Sequence, residues 1–364
     1  MLYLLVTLLL FFLVVYGFVN TPKFGRTATG SRRQEIMRSP NFREGSFKNL
    51  SHTPQLTEGA SLPKVLGEFI FSKRVRKKPV GEIPSVKTDL IGMDPSENVL
   101  VWMGHSSYYI QAEAKRILVD PVFSGAASPI SATTRAFAGS DRYTVDDIPP
   151  LDFLIITHDH WDHLDYTTVK ALRSKVAFVL CGLGVADHLE RWGYDRTNII
   201  EKDWYKTTML GDGFTAHVMP ARHFSGRGLR RNQSLWISVV LETPRRRIYI
   251  GGDSGYDHHF ADIGKRFGRI DLAILENGQY DKNWKYIHML PEETVQAAAD
   301  LHASRLLAFH NSKFALANHA WDDPLKRASH AAADSHLKLL TPMIGEAVML
   351  DEDKLYSRWW EGQE

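Results

Sequence analysis

The sequence predicts an α+β fold in which two β-sheets pack together and helices cover them. Three observations carry that expectation. From residue 99 onward, short apolar runs rich in β-branched and aromatic residues recur, each ended by Gly, Pro, Asp or His. Helical patterns lie between these runs. The strand runs come early and strand–helix alternation comes later, and about ten strands are too many for one small sheet.

Taken in order, Val99 to Met103 and Tyr108 to Gln111 flank a Gly104-His105-Ser106-Ser107 turn, and Arg116 to Asp120 is closed by Pro121. Further strands are expected at Phe153 to Thr157, Ala177 to Leu180, Phe214 to Met219, Leu235 to Leu241, Arg247 to Ile250, Leu272 to Leu275 and Leu306 to Phe309. Helices are expected at Thr167 to Ser174, Ala186 to Trp192, Asp257 to Phe267 and Pro291 to Ala303. The last starts with Pro291, which has no N–H to waste, followed by Glu292 and Glu293 at the positive end of the helix dipole.

The chain has 364 residues, 44% of them hydrophobic, enough for a large core and incompatible with wholesale disorder. Lys+Arg 44 against Asp+Glu 42 leaves a net charge of +2, so no overall field calls for nucleic acid as partner. The single cysteine, Cys181, excludes an intramolecular disulfide and a thiolate cluster.

Residues 1–20 read as a membrane anchor. Leu2 to Val19 carries no charge and would span about 27 Å as a helix. No Lys or Arg precedes the run and no small-x-small cleavage site comes after it, which favours an uncleaved anchor over a secretory signal. Lys23, Arg26, Arg32, Arg33, Arg38 and Arg43 come next, opposed only by Glu35 and Glu44, so the rest of the chain is expected on the cytoplasmic side. Residues 21–88, rich in Pro, Ser, Lys and Arg, read as a linker and extension. Its basic run Lys73-Arg74-Val75-Arg76-Lys77-Lys78 suits either a solvated face or anionic lipid headgroups. Residues 89–364 form the expected main folded domain.

The chemistry is concentrated in Thr157-His158-Asp159-His160-Trp161-Asp162-His163, directly after an apolar strand. Imidazoles and carboxylates at His-x-His-x-Asp-His spacing on a loop leaving a strand can converge on a zinc-type ion. So polar a cluster does not suit core packing. Asp159 and Trp161 occupy spacer positions.

Together with the later His223, Asp253 and His310 segments, this motif resembles the metallo-β-lactamase superfamily, over a stretch from about Val99 to Arg327. The resemblance implies a four-layer αββα sandwich with a binuclear site. It places His158, His160 and His223 on one metal, Asp162, His163 and His310 on the other, and Asp253 of Gly251-Gly252-Asp253-Ser254 as the bridge. Two Zn2+ ions per chain are expected. Lactamase activity itself is disfavoured, because Cys181 stands where no cysteine ligand is expected.

Other runs look like the N-acylphosphatidylethanolamine-hydrolysing phospholipase D group and its bacterial relatives: Trp102-Met103-Gly104-His105, Asp120-Pro121-Val122-Phe123-Ser124, His163-Leu164-Asp165-Tyr166, Tyr286-Ile287-His288 and Lys313-Phe314-Ala315-Leu316. The implied activity is hydrolysis of such glycerophospholipids by metal-activated water, with some relatives homodimeric. The alternative is a membrane-tethered lactonase or phosphodiesterase on a small soluble substrate, similar to ascorbate-phosphate lactonase-like proteins. Asn311-Ser312 and the segment 130–143 depart from the animal lipases, which leaves acyl specificity open.

Two divalent ions about 3.5–4 Å apart acidify a shared water and neutralise charge on the leaving side, which suits a phosphodiester. Asp162 is expected to orient that water and Asp253 to balance the ions. His288 is the candidate to touch phosphoryl oxygen or protonate the leaving alkoxide. Arg222, among Arg227, Arg230 and Arg231, is a candidate phosphate clamp. His105 is a candidate substrate-side residue or a partner for a ligand. A nuclease fits the charge balance poorly, and a non-catalytic scaffold fits the full ligand set poorly.

Overall fold

A computed structural model describes residues 1–71, 76–335 and 337–363. Within the basic run, Lys73, Arg74 and Val75 lie outside the described residues, while Arg76 pairs with Asp322 at 2.9 Å.

The chain opens with α1 (Leu2–Val19), none of whose residues is buried. It is the one helix among the described residues long and apolar enough to cross a membrane. After it the structure departs from the expected linker. Helix α2 (Gly30–Arg38) and the hairpin of β1 (Phe42–Arg43) and β2 (Ser46–Phe47) pack on the body, with Ile36 and Phe47 fully buried. Arg32 is buried too, since three carboxylates meet it: Asp187 at 3.1 Å, Glu190 at 2.6 Å and Glu201 at 2.9 Å. A charge-rich segment reads as solvated unless its counter-ions are visible, and these lie far along the chain. Helix α3 (Leu62–Phe71) then leads to the body.

The body holds β3 (Val99–Trp102), β4 (Tyr108–Ala112), β5 (Lys115–Val119), β6 (Leu151–Ile156), α4 (Tyr166–Leu172), β7 (Val176–Gly182), α5 (Ala186–Arg191), β8 (Ile199–Lys202), β9 (Thr207–Gly211), β10 (Phe214–Met219), β11 (Ser238–Glu242), β12 (Arg247–Ile250), α6 (His259–Phe267), β13 (Leu272–Glu276), α7 (Pro291–Asp300), β14 (Arg305–Phe309), α8 (Asp323–Ala333), β15 (Lys338–Leu340) and β16 (Ala347–Met349). They form two seven-stranded sheets, ordered β16-β3-β4-β5-β6-β7-β8 and β15-β14-β13-β12-β11-β10-β9. Both are built alike: antiparallel hairpins pass into parallel strands, at β5–β6 in one sheet and at β12–β13 in the other.

Strand alternation makes the layers. In β3, Leu100 and Trp102 join the core between the sheets with Ile117, Phe153, Val239 and Ile274, while Val99 and Val101 face outward. The outer face of the first sheet is covered by α4 and α5 through Val169, Leu172 and Leu189. The outer face of the second is covered by α6, α7 and α8 through Phe260, Ile263, Val295 and Ala332. This is the expected four-layer αββα arrangement. Each fully buried Leu, Ile or Phe removes enough apolar surface from water to contribute about 1.5–3 kcal/mol, and the carboxyl ends of β5, β6, β12, β13 and β14 converge on one rim.

Candidate metal centre

Seven side chains that follow the ends of four strands, β6, β10, β12 and β14, meet at that rim, and they form two nests. In the first, His158 Nε2 lies 2.9 Å from His160 Nδ1, and His223 Nε2 lies 3.2 Å from the same atom. Asp253 Oδ2 stands 3.8 Å from His158 Nε2 and 3.6 Å from His223 Nε2. In the second, His163 Nε2 and His310 Nε2 are 3.1 Å apart and each lies 3.2 Å from Asp253 Oδ1. Asp162 Oδ2 closes it, 3.3 Å from His310 Nε2 and 3.8 Å from His163 Nε2. Four donors about 2.0–2.1 Å from one tetrahedral ion sit roughly 3.3 Å from one another, so both nests have the spacing a zinc-type ion requires. Asp253 divides its two oxygens between them. Its Oδ1 is buried without a hydrogen-bond partner, the state of a carboxylate oxygen built to meet a cation.

Further bonds fix which nitrogen of each imidazole points inward. His163 Nδ1–H donates to Asp120 Oδ2 at 2.8 Å, and His223 Nδ1–H donates to the Ile287 carbonyl at 2.9 Å. The Thr157 hydroxyl donates to Asp120 Oδ2 at 2.5 Å and is left to accept from His158 Nδ1 at 3.0 Å. In all three rings Nε2 therefore faces the nest; burial would lower His163, but Asp253 and Asp162 more than offset that and raise it well above the usual histidine range, so its Nε2 must give up a proton on ligation. Burial and the neighbouring imidazoles hold His158 and His223 well below the usual histidine range, leaving them neutral and able to ligate. Burial would raise the Asp162 carboxyl, but His163 and the bonds from His105 and His310 hold it well below the ordinary range, so it is ionised.

The backbone is strained to deliver these groups. Asp120, His105 and His310 have φ of 42°, 51° and 70°, in the left-handed region that costs a non-glycine residue about 1–3 kcal/mol. Before Asp253 the chain passes so close to β6 that a Cβ on Gly252 would lie 2.8 Å from Thr157 Cβ. That explains the second glycine of the Gly251-Gly252-Asp253 run.

The other expected site residues fall differently. His288 lines the cavity above the nests, and its Nδ1 donates to Glu276 Oε2 at 3.3 Å. Burial would lower this imidazole, but Glu276 more than offsets that and raises it, so His288 holds its proton more tightly than a free histidine. His105 is fully buried and its Nε2 binds Asp162 Oδ2 at 2.9 Å, so it positions Asp162 and does not meet substrate. Arg222 also differs from its expected role. Its guanidinium is spent on Thr53 Oγ1 at 3.0 Å and on the Tyr256 and His52 carbonyls, each at 2.9 Å. These bonds, with the Asp257 carboxylate 3.7 Å from Nε, tie His52 and Thr53 of the N-terminal arm to the body, and the arginine that lines the cavity is Arg231.

Sequence reasoning missed Glu276 and gave Asp120 no role. Both are acids ending a buried parallel strand, the position that already flagged His158 and Asp253. The cavity itself is about 420 Å³, with an apolar wall of Leu56, Leu62, Val65, Trp284, Ile287 and Leu316. Three of these come from the N-terminal arm.

The layered fold and its two His/Asp nests define a metal-dependent hydrolase. Residues 115–311 match the β-lactamase superfamily domain, and the chain belongs to that superfamily. An uncharacterized protein of Mycobacterium tuberculosis is 35% identical over 345 residues, covering 94% of this chain and 92% of its own length. The N-acyl-phosphatidylethanolamine-hydrolyzing phospholipase D 1 of Caenorhabditis elegans is 30% identical over 308 residues, 77% of this chain and 81% of its own. Igni18, a metallo hydrolase of Ignicoccus hospitalis, superimposes with a TM-score of 0.55 and 19% identity over 70% of this chain and 98% of that one, a likeness of fold.

Proposed function

We propose that the protein is a two-zinc phosphodiesterase of the phospholipase D type, anchored in a membrane by α1 with its body on the cytoplasmic side, and acting on N-acylphosphatidylethanolamine-type glycerophospholipids. The observation that carries this reading is the Asp253 carboxylate shared between two nests beneath an apolar cavity. The zinc ions, held by His158, His160, His223 and Asp253 and by Asp162, His163, His310 and Asp253, would supply the Lewis acidity that activates water and neutralises phosphoryl charge.

The chain's own groups do the rest. Asp162, ionised and held by His105, orients the attacking water by accepting its hydrogen bond. As the new P–O bond forms, the attacking water gives up one proton to solvent, the bond to the N-acylethanolamine oxygen breaks, and His288 passes its proton to that departing oxygen and regains one from solvent. Glu276 fixes the His288 ring so that Nδ1 is occupied and Nε2 carries the transfer. The apolar wall excludes bulk water and receives hydrocarbon chains. The products are phosphatidic acid and an N-acylethanolamine. Incubating zinc-loaded full-length protein with N-acylphosphatidylethanolamine vesicles tests the reading: metal-dependent release of phosphatidic acid supports it. Hydrolysis of only water-soluble phosphodiesters or lactones refutes it.

A further inference from the structure

The junction between α1 and the body is bound to the loop that carries the metal ligands. Four carbonyls of this stretch are taken by donors of the body. Asn20 O and Gly25 O accept from Arg191 at 2.8 and 2.7 Å, and Pro22 O accepts from Trp192 Nε1 at 2.7 Å. Lys23 O accepts from Arg227 Nε at 3.1 Å and Nη2 at 2.9 Å.

Arg227 joins the two sides of this arrangement. It is 4% exposed, and while one edge of its guanidinium grips Lys23, Nη1 reaches across to two carbonyls of the ligand loop, Asp159 O at 2.9 Å and Leu164 O at 2.5 Å. Its face lies 3.9 Å from the Trp161 ring centre, and the Phe24 ring packs edge-on to Trp161 at 5.0 Å. Trp161 sits between His160 and Asp162 in sequence. A second line runs through Asp159. Arg26 N–H donates to His188 Nδ1 at 3.1 Å, which leaves the proton on Nε2 to donate to Asp159 Oδ2 at 3.2 Å. The turn that allows this needs Gly25, whose φ is 66° and whose Cβ, if present, would lie 1.9 Å from His188 Nδ1.

We infer that residues 20–28 are a positioning strap for the metal centre, acting through Arg227 on the His158–His163 loop, so that the membrane junction and the ligand set form one mechanical unit. Asp159 and Trp161, the two spacer residues of the motif, thereby acquire a role: they are the points at which the strap grips the loop. The inference rests on the reading of that loop as metal-ligating and is independent of the substrate. Groups that orient ligands from outside typically change metal affinity by about 10–100-fold when removed, and a fork of five donors joining three carbonyls has no equivalent in lysine.

The test uses full-length protein in detergent, titrated with Co2+ and Zn2+ against a chelator while the visible spectrum of the cobalt form is recorded. Arg227→Met is expected to weaken metal affinity by at least about 10-fold and to alter the cobalt spectrum, with Arg227→Lys failing to restore either. Phe24→Ala, which removes only a strap side chain, shifts both in the same direction by less and serves if Arg227→Met does not fold. Val240→Ala, a buried core change under α6 and α7, lowers the melting temperature without moving affinity or spectrum. Wild-type affinity and spectrum in both Arg227→Met and Phe24→Ala, or equal shifts in Val240→Ala, overturn the inference. A wild-type chain that binds no cobalt overturns the metal reading as well.

Discussion

Asp120 is a sensitive point of the centre, although it touches no expected ion. Its Oδ1 accepts Thr157 N–H at 2.8 Å, and its Oδ2 accepts both the Thr157 hydroxyl at 2.5 Å and His163 Nδ1–H at 2.8 Å. Asp120→Asn keeps the first bond and the volume, but places an NH2 group where Oδ2 was. His163 Nδ1 must then accept, its proton moves to Nε2, and that proton points at His310 Nε2 and Asp253 Oδ1. Ligation requires the ring to give up this arrangement, at a cost comparable to one charge-assisted hydrogen bond, about 1.5–3 kcal/mol. The second nest should lose roughly 10–150-fold in affinity for zinc, and the first should lose less, because among its histidines only His158 reaches Asp120, and only through the Thr157 hydroxyl. Competition with a chromophoric chelator resolves the two equivalents, and a thermal melt checks that the variant is folded. A folded Asp120→Asn protein whose second equivalent binds within about threefold of wild type would refute the tautomer argument.

Three further outcomes are expected from the same geometry. Glu276→Gln removes the carboxylate that raises His288, so kcat should fall by about 10–100-fold with metal content intact, and the basic limb of the pH–rate profile should move to lower pH; an unshifted limb contradicts the proton-donor role. Glu201, met by Arg32, is pushed up to about 7 by burial. Because the folded chain then binds this proton more tightly than the unfolded one, its stabilising contribution is full below the ordinary glutamate range and is lost as pH rises toward 7. Glu201→Gln should therefore gain about 2 kcal/mol relative to wild type between about pH 5 and about pH 8 in urea unfolding, and a pH-independent difference would show that the group is already ionised. Val65→Asp places a charge in the apolar wall and should raise KM for long-chain N-acylphosphatidylethanolamine severalfold more than for a short-chain analogue; equal changes would mean that the wall does not receive the chains.

Much of the architecture was legible because buried strands announce themselves. The limits of β10 and β12 coincide with the expected Phe214 to Met219 and Arg247 to Ile250. The strands that went unread are edge or near-edge elements. Examples are β9, whose residues alternate between exposed and half-buried, and β15 and β16, of three residues each. Short, half-solvated strands carry little hydrophobic pattern. The nests were legible because three imidazoles within one short run have few other uses. Arg222 was misplaced for a related reason: a run of arginines gives charge but not partners, and its hydrogen bonds go to Thr53, His52 and Tyr256, with Asp257 3.7 Å away, none of which its neighbours in sequence point to. Glu276 stayed hidden because a lone acid after an apolar strand is equally at home as a cap. The N-terminal arm was hidden by its own composition, since its anchoring points, Asp187, Glu190 and Glu201, lie far along the chain.

In the proposed centre one carboxylate holds two ions together. Metal content and hydrolysis should be measured side by side on full-length protein and on Asp253→Ala, each zinc-loaded and freed of excess by gel filtration. Wild type should carry about two zinc ions per chain and release phosphatidic acid from N-acylphosphatidylethanolamine, and the variant about one ion or none, with hydrolysis lost. An Asp253→Ala chain that keeps both ions and its turnover, or a wild type that works equally well after chelation, would contradict the two-metal centre.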